Sequence, residues 1–150
     1  MAFVSLSSIS EASRGIGNYR TGRMPGNRKY LVIGTGSGGK DSKGVTRKSV
    51  VVRISSALAK EARILHGDRL DLLIDKEAKI GLLKRINKGG YAASATGKKQ
   101  ETIKPGEYYS ITIKATYFKG MPILDGYFEC ESVNISDDGI LFDLPKDVTF

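Results

Sequence analysis

The chain has 150 residues, with 24 Lys and Arg against 16 Asp and Glu, for a formal net charge of +8. That length suits one domain with a real hydrophobic core, and 40% hydrophobic with 27% charged residues is a globular composition. No apolar run reaches the roughly 18 residues that cross a bilayer. Met1 to Ser10 has no basic n-region, so neither a signal peptide nor a membrane partner is expected. The lone Cys130 excludes an internal disulfide and fits a reducing compartment, which makes the cytoplasm the expected location.

The charge is unevenly spread. Residues 1–50 hold nine basic and two acidic side chains (+7), residues 51–100 hold eleven and five (+6), and residues 101–150 hold four and nine (−5). Such asymmetry points to a polyanionic partner for the first two thirds and an acidic C-terminal part.

Residues 1–27 mix Ser and Gly with Arg14, Arg20 and Arg23 and show no sustained period, which predicts a flexible basic arm able to track phosphates. A single β-rich domain is expected over 28–144, opening with a strand at 28–34. Gly34 to Lys40 imitates the start of a phosphate-binding loop. However, Asp41 stands where a magnesium-holding hydroxyl belongs and another strand follows instead of a helix, so a long hairpin connection is expected. Val45 to Ile54 is β-branched and basic, a second strand. Ser55 or Ser56 then offers an N-cap, and Leu58, Ala62 and Leu65 make one apolar stripe of a short helix, with Gly67 as its left-handed C-terminal cap. Leu70, Leu72 and Ile74 alternate with Asp71 and Asp75. Ile80 to Ile86 returns as a hairpin partner, and Tyr91 to Thr96 is a small-residue strand. Glu107 to Phe118 alternates most clearly, with Ile111, Ile113 and Ala115 on one face. Ile123 to Val133 and Ile140 to Leu144 complete the strands, before a C-terminal tip at 145–150. The predicted class is mainly β (a β-rich α+β chain), as a small β-barrel or a swapped-hairpin architecture with one short helix.

The order strand, capped helix, Gly67-Asp68, then Leu70, Leu72 and Ile74 and a hairpin through Ile80, Leu82 and Leu83, resembles the AbrB/MazE-type swapped-hairpin module over residues 45–86. The resemblance implies a homodimer of interleaved hairpins and a basic surface on duplex DNA, to which Arg47, Lys48 and Arg53 would contribute. The chain departs from the family pattern in having Ser55 where a proline usually precedes the helix, and Ala59 where an arginine often lies inside it. Residues 107–144 could equally close the module within one chain. Counting charge alone, Arg28, Lys29, Lys84 and Arg85 join the three arm arginines as candidate nucleic-acid contacts, DNA before RNA.

Enzyme chemistry finds little footing. One His and one Cys make no nucleophile–base pair or metal cluster, and no cofactor is expected. Glu129 and Glu131, roughly 7 Å apart on one strand face, read as solvated surface. Two other functions compete with duplex regulation. The acidic stretch from Asp137 to the terminal Phe150 resembles the Phe-ended tips of single-stranded DNA-binding proteins, with base-stacking candidates among Tyr108, Tyr109, Tyr117, Phe118, Tyr127 and Phe128. The basic arm could instead serve assembly with another subunit.

Residues 1–100 carry the whole positive excess, so binding should weaken steeply with salt as neutralised phosphates release counterions. Titrations of an oligonucleotide between about 50 and about 200 mM salt are expected to show at least a tenfold loss; a flat response would count against a polyanionic partner.

Overall fold

A computed structural model describes residues 28–40, 42–44 and 46–150. Ten strands form two antiparallel five-stranded sheets. In chain order they are β1 (Leu31–Lys40), β2 (Thr46–Ile54), β3 (Arg69–Asp75), β4 (Ile80–Ile86), β5 (Tyr91–Ala92), β6 (Ser94–Ala95), β7 (Ile111–Thr116), β8 (Gly126–Glu129), β9 (Glu131–Ser136) and β10 (Gly139–Asp143). One short helix, α1 (Ser56–Ala62), links β2 to β3. Sheet A has the order β6-β7-β2-β1-β8 and sheet B the order β5-β3-β4-β10-β9. The described residues are therefore mainly β with one short α-helix; the sheets stay open and do not close into the barrel that was one expected form.

Period-two alternation drives each sheet to bury one face. Leu31 and Ile33, Val50, Val52 and Ile54, and Ile111 and Ile113 supply the inner face of sheet A. Leu70 and Leu83, with Ile140 and Phe142, supply that of sheet B, all in one cluster. The chain passes between sheets at two buried corners, Ala93 between β5 and β6 and Cys130 between β8 and β9. Strands that bend from one layer into the other hold both over a common core. The Cys130 N–H donates to the Leu31 carbonyl at 2.8 Å, and Ala93 exchanges backbone bonds with Gly67 and Asp68 at 2.8 Å each. This corner also separates the Glu129 and Glu131 pair, which was expected on one strand face: one carboxylate ends β8 in sheet A and the other begins β9 in sheet B.

Several expected boundaries move. The glycine run is strand, because β1 continues to Lys40 against β2, leaving a short turn in place of the long connection. The helix ends at Ala62, earlier than the Leu65 stripe required, because Arg63 itself adopts the left-handed cap at φ 59° and lets Ile64 N–H return to the Ala59 carbonyl at 2.9 Å. Gly67 is left-handed too, but it belongs to the following turn. Ser55 is the N-cap, and its Oγ accepts from Leu58 N–H at 3.2 Å and from Tyr30 N–H at 3.1 Å. A proline side chain at that position could supply neither bond. The long strand expected over 107–118 shrinks to β7, although its inward residues Ile111, Ile113 and Ala115 are buried as the alternation required. The strand expected over 123–133 breaks at the Cys130 corner.

Within the 45–86 stretch, β2 lies at the centre of sheet A, and the β3–β4 hairpin lies in sheet B against β10. Ile140, Phe142 and Leu144 enter the core in alternation. Val148 is buried after them, and Thr149 pairs with Ile123. No helix among the described residues is long and apolar enough to cross a membrane.

The Phe142 ring covers Gly81, where an added Cβ would lie 2.3 Å from the ring's Cζ. The strand partners Phe142 and Gly81 thus share one volume. Gly81→Ala and Phe142→Leu, singly and combined, should be non-additive by about 0.5–3 kcal/mol in urea unfolding, the smaller Leu relieving the clash; additive losses would mean that the ring and the glycine do not interact.

Candidate nucleic-acid interface

Strand register fixes which side chains share the outer face of sheet A. Cα partners place Glu129, Val32, Arg53, Thr112 and Ser94 in one row. The next row holds Tyr127, Gly34, Val51 and Lys114. The third holds Gly36, Ser49 and Thr116. Their strand neighbours, such as Leu31, Ile33, Val52 and Ile113, fill the core, so these residues face away from it.

Glycine at alternate positions of β1 leaves a bare lane on this face, and Tyr127 lies in it. A Cβ at Gly34 would come within 2.3 Å of Tyr127 Cδ1, and one at Gly36 within 2.4 Å of its hydroxyl. The ring therefore runs along the strand from Gly34 to Gly36. The guanidinium of Arg53 stands 5.3 Å from the ring centroid, within cation–π range. Beside them is an open pocket of about 430 Å³, lined by Val51, Arg53, Ser94, Thr112, Lys114 and Tyr127 of sheet A together with Ala92 of β5. Arg53 and Lys114 are exposed.

Around this pair the charges are organised. Glu129, the one carboxylate in these rows, is held by an ion pair with Arg28. Tyr30, at the start of β1, is raised above its ordinary value of 10.0 chiefly by burial; Arg28 and Arg53 pull it down, Glu129 pushes it up, and a hydrogen bond with the Ser110 side chain lowers it. The phenol stays neutral at physiological pH. No known protein family, curated protein or solved structure matches this chain. The functional reading rests on the chemistry of the face itself.

The expected contacts are distributed unequally. Arg53 belongs to the outer face, and Lys48 is exposed near the start of the same strand. Arg47 lies in β2. Arg14, Arg20 and Arg23 lie outside the described residues. Lys29 pairs with Glu61 of the helix. Arg85 donates to the Arg63 carbonyl at 3.0 Å and lies 3.9 Å from Asp68, bracing the end of the helix. Lys84 is on the other sheet, opposite Asp71 on β3. The structure thus does not bring Lys84 and Arg85 to the face that carries Arg53.

The outer face of sheet B is of another kind. Leu73, Leu82 and Leu141 form a row across it, flanked on one side by Asp71 opposite Lys84 and on the other by Asp75 and Asp143. Counting charge along the chain missed Lys114, Thr112 and Ser94, and it placed Tyr127 only within a crowd of aromatics. The available signal was Gly34-Thr35-Gly36, a glycine at every second position of a strand.

The two residues suited to nucleophilic chemistry are occupied structurally. His66 Nδ1 accepts from the Ala95 N–H at 3.0 Å. Burial pushes the Cys130 thiol from its ordinary value of 9.0 up to about 12, with Glu129 and Asp143 adding to the shift. The folded thiol therefore keeps its proton while the unfolded one loses it, so its contribution to stability is full below about pH 9 and falls away as pH rises toward about 12. Replacing Cys130 by Ala should flatten the alkaline loss of stability in urea melts, and an aromatic disulfide reagent at pH 8 should label the native thiol only on the timescale of unfolding. Rapid native labelling would show the corner to be open.

Proposed function

We propose that this chain is a DNA-binding protein, without catalytic activity of its own, that receives single-stranded DNA on the outer face of sheet A. The observation that carries the reading is the Tyr127 ring on its glycine lane, set beside the exposed cations Arg53 and Lys114. Sequence-tolerant single-strand binding combines these two parts, a basic track for phosphates and aromatic rings for bases. A flat sheet face suits a splayed strand, whereas reading a duplex calls for an element that enters a groove. The outer face of sheet B, apolar at its centre and with Asp71, Asp75 and Asp143 outnumbering Arg69 and Lys84, suits the same ligand less, which favours one side of the molecule.

Duplex binding as an AbrB-like homodimeric regulator is the second reading. The order β2, helix, Gly67-Asp68 and the β3–β4 hairpin favours it.

Arg53→Ala with Lys114→Ala should weaken binding to a single-stranded oligonucleotide about tenfold or more at low salt and reduce the salt slope by about one to two counterions, Lys114 acting on a phosphate and Arg53 through its charge beside the strand. Lys76→Ala with Lys84→Ala removes equal charge from the sheet B side and should change affinity far less. Equal losses in an anisotropy titration would leave only a diffuse field. Tighter binding to a duplex of the same length, in a mass-doubled complex, would transfer the assignment to the second reading.

A further inference from the structure

Resting on that reading, we infer that the pocket beside Tyr127 is a subsite for one unstacked nucleobase, held between the Tyr127 ring and the Arg53 guanidinium. Three features of the face converge on this. First, Gly34 and Gly36 allow the ring to lie along β1, where the Arg53 guanidinium stands over it, so the side of the ring that Arg53 covers is the one a ligand would meet. A ring packed this closely against the strand has little rotamer freedom left to lose when a base stacks on it.

Second, Arg53 stands 5.3 Å from the ring centroid. A base sandwiched between two planes needs about two stacking intervals, each about 3.4 Å as along a nucleic-acid strand. The guanidinium therefore has to move outward by only one to two ångströms, a small displacement for an exposed side chain. Arginine is suited to the second plane, because its guanidinium stacks on bases while keeping its charge.

Third, the pocket is of a size that takes a small ligand, at about 430 Å³. Its chemistry is divided. Val51 forms an apolar floor, Ser94 and Thr112 lie on the strands beyond, the Thr112 hydroxyl sharing a hydrogen bond with that of Thr96, and Lys114 belongs to the same lining. Hydroxyls donate to or accept from the edge of any base, so the contact tolerates sequence. Lys114 then meets the phosphate attached to the base that the pocket holds.

The subsite distinguishes a strand that has bases from one that has only phosphates, which makes it separable from electrostatic binding. The experiment compares an oligothymidylate with an abasic oligonucleotide of the same length, both labelled for anisotropy, on the full chain and three variants. The wild type is expected to bind the oligothymidylate roughly five- to hundredfold more tightly than the abasic strand, the range of one base–aromatic stack. Tyr127→Leu should lose most of that difference without changing the salt slope, because it removes no phosphate contact. Tyr127→Phe should restore it, since the plane and not the hydroxyl carries the stack. Gly36→Ala removes no side chain of the pocket but displaces the Tyr127 ring by crowding its hydroxyl, so it should lower oligothymidylate affinity while abasic binding holds. Circular dichroism and urea melts establish that each variant is folded, and abasic binding by Tyr127→Leu is an internal control for the intact phosphate track. Equal binding of the two strands by the wild type, or a Tyr127→Leu variant that keeps the full preference, overturns the subsite and leaves the basic face standing. Failure of the wild type to bind either strand at low salt overturns the nucleic-acid reading as well.

Discussion

The register of β2 is the constraint on which both faces of sheet A depend. Val50, Val52 and Ile54 enter the core, so Val51 and Arg53 must face the other way, and β1 and β7 on either side are held to the same parity. A slip of one residue would send Arg53 into the core and the valines into water, reversing every side chain at once. Burial of apolar groups therefore places a cation on the outer face without any direct contact having to position it. Ser55 anchors the end of this strand, since one oxygen serves both the first turn of the helix and the start of β1.

The two sheets use one packing device for two ends. In sheet B the Phe142 ring covers Gly81 and is sealed from solvent, filling the core where strands could not otherwise approach an aromatic side chain. In sheet A the Tyr127 ring covers Gly34 and Gly36 in the same manner, but it faces outward. The inward ring stabilises through buried area. The outward ring leaves part of its surface uncovered, and that uncovered surface is what makes the face chemically distinct from ordinary strand.

Much of the fold was legible because it follows from short-range alternation. Leu70 and the residues Ile111, Ile113 and Ala115 are buried as their spacing required, and the polar turns fall between strands. The end of the helix was not legible, because a left-handed Arg63 is a local outcome that no apolar stripe encodes. The glycine run was misread for an instructive reason. Glycine weakens a strand by itself, and only the arrival of Tyr127 from a distant part of the chain gives the bare lane something to hold. Charge counting failed in the same way. Arg85 is one cation among many in the sequence, whereas in three dimensions it is committed to the Arg63 carbonyl and Asp68. Lys114, in a part of the chain with net negative charge, joins Arg53 through β-pairing alone.

The unlike outer faces give the molecule a handedness toward its surroundings. Arg53 and Lys114 look out from one side, while Asp71, Asp75 and Asp143 look out from the opposite sheet. A long anion drifting past feels a torque as well as a pull, and the protein turns toward it before the two touch. On the proposed single-strand reading, encounters on the sheet B side would be brief, so a larger share of collisions would end with the sheet A face toward the strand. That gain is kinetic. It raises the arrival rate more than it lengthens the stay, and it is the first property to fade as counterions crowd the space between the partners.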